Sequence, residues 1–209
     1  MKYKFFVYTL FPLLFVFNLL FTRQSLAKPA SIFQPVIEEI EARLSSGLKM
    51  RLPAFVPTFD RDSTLYPFLS SDDSKLVMNL DELKLEFFTV LIGDTPDCSE
   101  QKNPQDCLIA AVGVTEDPIK SKAQLNNLLA DNESDITQVK FSQEIEGYYF
   151  VNKLQFIIWR QDDMAYLLMS KMPKKCGSDC ISKQQLIDMA KSASQEPAIT
   201  SQDTSYYLF

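Results

Sequence analysis

Residues 146–170 read EGYYFVNKLQFIIWRQDDMAYLLMS, and this stretch decides the fold. Aromatic and β-branched residues dominate it, and such residues are enriched in strands. The pattern predicts one strand over 146–151 and a longer β segment over 154–170. The polar triplet QDD at 161–163 breaks that second segment into a hairpin, because aspartate favours turns. The centre of the protein is therefore predicted to be antiparallel sheet joined by hairpins.

Further segments continue this pattern toward the N-terminus. The segment ITQVKFS at 136–142 predicts another strand. Two apolar runs form a predicted hairpin over residues 84–115, with Cys98 and Cys107 at its tip, where a disulfide would fix the register of the two strands. Between these β segments, residues 120–130 are a short helical candidate with leucines on one side.

Two amphipathic helices flank the strands. Residues 31–46 place apolar side chains three and four positions apart, and Gly47 follows as a C-terminal cap. The second helix has the stronger start signal, because Ser182 and Gln185 match a capping box. The order helix, strands, short helix, strands, helix predicts the α+β class: an antiparallel β-sheet built from hairpins, packed by an N-terminal and a C-terminal helix.

The first residues have the pattern of a secretory signal peptide. Lys2 and Lys4 precede an uncharged apolar run at 5–21, and Ser25 and Ala27 supply the small residues of a cleavage site. A retained membrane anchor is the alternative, since the run approaches the ~20 residues that span a bilayer. Either way the rest of the chain is predicted to be exported, to the periplasm, the cell envelope or the medium. The predicted parts are a signal peptide at 1–27, a single α+β domain at 28–195 and a C-terminal tail at 196–209.

Composition excludes several classes of activity. The chain contains no histidine, so catalysis by an imidazole base and zinc sites built on histidine are excluded. Acidic residues outnumber basic ones, 27 against 21, and loss of a leader that is basic makes the balance more acidic. An acidic surface repels nucleic acid and anionic lipid. Nucleic acid is therefore not an expected partner, and a membrane is expected only if the N-terminal segment is retained.

The four cysteines fall into two close pairs. Cys98 and Cys107 form the first pair, and Cys176 and Cys180 form the second. An even number of closely spaced cysteines in an oxidising compartment predicts disulfides, and we expect two local ones. Two alternatives are a redox function for the C-x-x-x-C pair and a zinc site of four thiolates.

Aromatic residues concentrate in the second half of the chain and suggest a ligand face. Tyr148, Trp159 and Tyr166 are the candidates, for a small apolar or sugar ligand. The alternative is that these side chains form core and cross-strand pairs. The adjacent carboxylates Asp162 and Asp163 are explained by turn propensity. No catalytic, metal-ligating or cofactor-binding residue is assigned.

A series of short motifs resembles a known group of proteins. The motifs are YPFL at 66–69, TPDC at 95–98, GYYF at 147–150, IW at 158–159 and LIDMAKS at 186–192. Their order resembles that of the landmarks of a group of uncharacterised exported cyanobacterial proteins. The resemblance implies an exported α+β domain and no particular activity.

These observations together predict the kind of protein but not its ligand. We expect an exported, non-enzymatic binding module of the envelope or periplasm, acting on an unknown protein or on a small molecule. One alternative is an assembly or structural factor for a membrane complex, which would act through an exposed apolar patch. Another is a hydrolase that works without histidine, which would need converging carboxylates in a cleft.

Overall fold

A computed structural model describes most of the chain that follows the predicted leader. The predicted leader, the helical candidate at 120–130 and Cys176 lie outside the described residues. The described residues are 28–57, 64–69, 75–80, 83–101, 106–116, 136–172 and 180–201.

Ten strands lie in the described part of the chain, and eight of them form one antiparallel sheet. Its order is β2-β4-β5-β9-β8-β7-β6, and β3 pairs with β4 on the same edge as β2. The predicted α+β class and antiparallel sheet are therefore confirmed. The strands are β1 Lys49–Met50, β2 Tyr66–Leu69, β3 Lys75–Leu80, β4 Leu83–Gly93, β5 Leu108–Glu116, β6 Thr137–Lys140, β7 Glu146–Asn152, β8 Leu154–Gln161, β9 Met164–Lys171 and β10 Ile199–Thr200.

The hairpin predicted over 154–170 is present and is as tight as a hairpin can be. Gln161 pairs with Met164, so the loop consists of Asp162 and Asp163 alone. Both aspartates have positive φ, 53° and 62°. A two-residue loop with two positive φ angles matches the twist of the flanking strands, and aspartate tolerates that conformation better than most residues.

The hairpin predicted over 84–115 is also present, and the Cys98–Cys107 disulfide closes its connection with a Cα–Cα distance of 5.7 Å. Gly93, at the end of β4, lies directly under this bridge. A Cβ atom at that position would come within 2.7 Å of the Cys98 sulfur. Cys180 is disulfide-bonded as well, and its predicted pairing with Cys176 stays a prediction.

Helices cover one face of the sheet. The N-terminal helix begins as a 3₁₀ helix, Ser31–Val36, and continues as α1, Ile37–Arg43. Pro35 lies in the 3₁₀ segment, two residues before α1 begins, where its missing N–H removes no α-helical hydrogen bond. The C-terminal helix α2, Lys183–Gln195, begins with the predicted capping box, in which the Ser182 hydroxyl accepts from the Gln185 backbone N–H.

The main core lies between these helices and the sheet. Side chains of α1 and α2, among them Ile40 and Leu186, pack against alternate residues of the central strands, such as Val112 and Leu168. The intervening strand residues form a second buried apolar cluster on the opposite face. Residues 196–201 were assigned to the tail, yet Ile199–Thr200 pairs with β1 and so belongs to the fold.

Candidate functional site

Three parts of the chain meet at the C-terminal end of α2. They are the residue after β1, the turn between β8 and β9, and the residue that ends the helix. Pairing of β1 with β10 brings the first and last of these together. The meeting point, which we name the Arg51 site, consists of Arg51, Trp159, Gln161, Asp162, Tyr166 and Glu196.

Arg51 holds these three parts together. Its Nη1 donates to the backbone carbonyl of Glu196, the residue that caps the C-terminus of α2. Its Nη2 donates to Asp162 Oδ2 at 2.6 Å. A cation is favourable at a helix C-terminus, because the carbonyl groups there carry partial negative charge. The ion pair with Asp162 also anchors the strained two-residue turn to the helix end.

Gln161 makes a second connection to the end of the helix. Its Nε2 donates to the carbonyl of Ser194 at 3.0 Å, so it satisfies an acceptor that the last turn of a helix leaves free. The other end of the same amide, Oε1, is buried and has no hydrogen-bond partner. Gln161 Nε2 thus stabilises the helix end, whereas Gln161 Oε1 is left without a hydrogen bond.

Two stacked aromatic rings line the sheet side of the site. Trp159 and Tyr166 are opposite each other on β8 and β9, and their ring centroids are 5.1 Å apart with planes at 15°. Phe141 meets the Trp159 ring edge-on at 5.8 Å. This is possible because Gly147 lies beneath Phe141, where a Cβ would come within 2.7 Å of the ring. The two polar rings are therefore held in place by their neighbours.

The defining property of the site is its set of unpartnered polar atoms. Five buried side-chain nitrogen or oxygen atoms in the described part of the chain have no hydrogen-bond partner, and all five belong to this site. Each such atom costs roughly 1 to 3 kcal/mol if it stays unpaired. Buried polar groups in native proteins are almost always paired, with the protein, with ordered water or with a ligand. The atoms are Arg51 Nε, Trp159 Nε1, Gln161 Oε1, Tyr166 Oη and Glu196 Oε2.

Burial also changes the acid–base properties of two of these residues. Loss of hydration raises the pKa of the Glu196 carboxyl, and the nearby Arg51 guanidinium opposes that rise. Loss of hydration likewise raises the pKa of the Tyr166 hydroxyl, against the opposing effect of the Arg51 guanidinium, which lies close to the hydroxyl without a hydrogen bond of normal geometry. The Tyr166 hydroxyl therefore keeps its proton at neutral pH and can both donate and accept a hydrogen bond.

A second group of buried polar side chains lies at the N-terminal end of α2, and its side-chain atoms have hydrogen-bond partners. Gln155, 1% exposed, accepts from the Tyr149 hydroxyl at 3.0 Å. Its Nε2 donates to the Ile181 carbonyl at 2.8 Å and lies within 3.3 Å of Ser170 Oγ. We name Gln155, Tyr149 and Ser170 the Gln155 cluster. None of its side-chain atoms is among the unpartnered ones found in the described residues.

The structure brings together two of the three aromatic residues proposed as a ligand face. Trp159 and Tyr166 are neighbours on the helix-covered side of the sheet. Tyr148 lies on the opposite side, in the second apolar cluster, and takes no part in the site. It faces the other way because successive strand residues alternate, and Tyr148 is opposite Ile158 rather than Trp159.

Sequence reasoning missed Arg51, Gln161 and Glu196 as site residues. Arg51 lies in a segment for which the sequence predicts no element, and Gln161 belongs to the predicted 161–163 turn. One signal was available for Glu196. An acidic residue at the C-terminal end of a helix opposes the helix dipole, so its presence there indicates a compensating cation or a function.

The polar side chains of the site can donate and accept hydrogen bonds. In the described ranges, no group of three or more cysteine, aspartate or glutamate side chains is placed to hold a metal ion. Among the same residues, neither helix has the length and apolarity that a membrane crossing requires. What the arrangement provides is a mixed set of donors and acceptors enclosed by aromatic rings.

Comparison with known proteins adds no further constraint. No protein-family model, no curated protein and no solved structure matches the chain. Fold and site together define an antiparallel α+β domain with a buried, incompletely paired polar site beneath its C-terminal helix.

Proposed function

We propose that this protein is an exported, non-enzymatic binding protein of the envelope or periplasm, and that the Arg51 site is where its ligand binds. The observation that carries the proposal is the concentration of all five unpartnered buried atoms in one site. A ligand that hydrogen-bonds to these atoms recovers the free energy that their burial costs.

Export is supported by the N-terminal pattern and by the Cys98–Cys107 disulfide. Lys2, Lys4, the apolar run and the Ser25-to-Ala27 segment have the order of a signal peptide. Structural disulfides persist in oxidising compartments and are rare in the cytosol. N-terminal sequencing of the native protein is expected to start at Lys28, and an intact Met1 in a cytosolic fraction would contradict export.

Binding suits the site better than hydrolysis does. A hydrolase that uses two carboxylates needs both of them free to act on the substrate. Asp162 is engaged with Arg51, which leaves Glu196 as the one uncommitted carboxyl of the site. The aromatic hydroxyl of Tyr166 has a raised pKa and so is a poor nucleophile at neutral pH.

Native mass spectrometry of the protein purified from its own host tests the proposal. We expect a bound small molecule in the wild type and its loss in Tyr166→Phe, which removes one unpartnered hydroxyl and keeps the ring stack. Tyr149→Phe is the matched control. It also removes a buried hydroxyl from the same face of the sheet, but that hydroxyl already has a hydrogen-bond partner, Gln155. Wild-type protein without any bound mass, or equal retention by both variants, would contradict the proposal.

A further inference from the structure

We infer that the ligand of the Arg51 site is a small uncharged molecule whose polar group both donates and accepts hydrogen bonds, as amides and hydroxyl compounds do. This inference rests on the proposed binding function and specifies its ligand class. It follows from the charges of the site and from the kinds of atom left unpartnered.

An anion is disfavoured because the positive charge of the site is already used. Arg51 directs Nη1 at the negative end of α2 and Nη2 at the Asp162 carboxylate, and Nε is its one nitrogen without a hydrogen-bond partner. An anion that reached Nε would also lie near the carboxyl groups of Asp162 and Glu196. The exposed Asp162 carboxylate already balances the Arg51 charge, so an anion would bring an uncompensated negative charge into the site.

A cation is disfavoured for the converse reason. It would lie beside the Arg51 guanidinium, and Glu196 is the one carboxyl left to balance it. Glu196 is 1% exposed, and its burial disfavours the ionised form that a cation would need. A buried charge without a full counter-charge costs several kcal/mol, so an uncharged ligand fits best.

The unpartnered atoms require a ligand with both donors and acceptors. Arg51 Nε and Trp159 Nε1 can only donate, whereas Gln161 Oε1 can only accept. The Tyr166 hydroxyl can donate or accept a hydrogen bond, and a protonated Glu196 carboxyl can also do both. Trp159 and Tyr166 are both 0% exposed, so a ligand group pairs with them only when the side chains that cover them move apart, and it is then removed from water. An amide or a hydroxyl compound supplies both kinds of atom without a charge.

Trp159 provides a specific reporter of binding. It is the one tryptophan of the chain, so its indole N–H gives a single, assignable resonance in a ¹⁵N–¹H spectrum. That N–H is itself one of the unpartnered donors. A ligand that accepts from it is expected to move the resonance downfield in a saturable way.

Three molecules of nearly identical shape test the charge of the ligand: acetate, acetamide and acetamidinium. Each is titrated into disulfide-intact protein, freed of any bound ligand, at pH 7 and constant ionic strength. We expect acetamide to shift the Trp159 resonance at concentrations at least tenfold lower than the other two. Ethylene glycol, titrated in parallel, tests whether an uncharged hydroxyl compound binds as an amide does. A shift of the Trp159 resonance by either neutral probe supports the inference.

Other outcomes separate the ligand class from the binding function. Tighter or equal binding of acetate or acetamidinium would overturn the uncharged class, while binding at the site would stand. If no probe moves the resonance but host-purified protein carries a ligand, the class is again overturned and the function stands. If no probe binds and no ligand is found in host-purified protein, both fail and the occupant is water.

Two variants show whether the probe binds at the Arg51 site. Tyr166→Phe removes one hydrogen-bonding hydroxyl and is expected to weaken the neutral probe by roughly tenfold. Tyr149→Phe, in the paired Gln155 cluster, is expected to leave the probe affinity unchanged. Equal affinities for the wild type and Tyr166→Phe would place the probe elsewhere and overturn the inference for this site.

Discussion

The Gln155 cluster and the Arg51 site are two buried polar groups on the same face of the same hairpin, at opposite ends of α2. Both connect β8 to a carbonyl at one end of the helix: Gln155 to Ile181 at the start and Gln161 to Ser194 at the end. The Gln155 cluster pairs its side-chain atoms completely. The Arg51 site leaves five atoms unpaired.

This difference separates two uses of buried polarity. A complete hydrogen-bond network fixes the position of the helix and stabilises the fold. An incomplete network destabilises the empty protein and is kept where something else completes it. Substitutions in the Gln155 cluster should therefore lower stability more than they weaken ligand binding. Substitutions in the Arg51 site should weaken ligand binding more than they lower stability.

The largest effect on stability is expected from Gln155→Leu. The leucine removes the bonds that Gln155 makes to the Tyr149 hydroxyl, the Lys171 carbonyl and the Ile181 carbonyl. At about 1 to 3 kcal/mol for each unsatisfied group, and with partial rescue by rearrangement, we expect a loss of roughly 3 to 5 kcal/mol. Urea denaturation measures it, and a loss below about 1 kcal/mol would show that the cluster does not stabilise the fold.

A smaller loss is expected from Tyr149→Phe. It removes one donor to Gln155 Oε1 and keeps the ring on which the Lys183 ammonium lies, 4.5 Å from the centroid. Because a buried amide oxygen is left with one bond fewer, we expect about 1 to 2 kcal/mol. The same denaturation experiment applies, and the comparison is sharpest if binding at the Arg51 site is measured on the same samples.

The next prediction concerns the pH dependence of stability. Burial raises the pKa of Glu196 in the folded state, so the folded protein holds this proton more tightly than the unfolded chain does. Stability from this group is complete below the ordinary glutamate pKa and is lost as the pH rises through the raised pKa. Glu196→Gln, which resembles the protonated form, should remove this fall and be more stable at neutral pH.

The control for that prediction is an exposed glutamate in the turn between β6 and β7, Glu144. Glu144→Gln removes one carboxylate from the surface and so controls for the change in net charge. Arg51, Asp162 and Tyr166 face Glu196 in both variants, so a difference between the two profiles belongs to Glu196 itself. Identical profiles for both variants would show that the Glu196 carboxyl is not desolvated.

The smallest effect on stability is expected from Tyr166→Phe. Its hydroxyl lies close to the Arg51 guanidinium but forms no hydrogen bond of normal geometry, so its removal from ligand-free protein takes away a burial cost and only a weak polar contact. We expect a change within about 0.5 kcal/mol, or a slight gain. A loss as large as that of Tyr149→Phe would mean that the two regions do not differ, and the comparison would fail.

The sequence predicted the elements that depend on local pattern. The strand alternation, the 161–163 turn, the first disulfide and the Ser182 capping box all involve residues close together in the chain. It could not predict the Arg51 site, because that site depends on the pairing of β1 with β10. Each of these strands has two residues, too few to show a periodic pattern.

The sequence predicted only some of the aromatic site residues correctly, again because their placement depends on how the strands pair. Trp159 and Tyr166 are brought together by the register of one short hairpin, which the sequence indicates. Whether Tyr148 shares their face depends on the register between β7 and β8, where a shift of one residue reverses the side. Composition identified aromatic residues as candidates, and the strand register places two of the three, Trp159 and Tyr166, in the site.

The union of β1 with β10 has a consequence for how the protein matures. Arg51 and the carbonyl it binds are separated by 145 positions in the chain. Contacts between such distant segments form late in folding, since the loop they close is long. During synthesis the chain therefore lacks the Arg51 site until residue 196 is free to return to residue 51. A ligand that binds there would select for completed molecules and protect them from proteolysis by mass action.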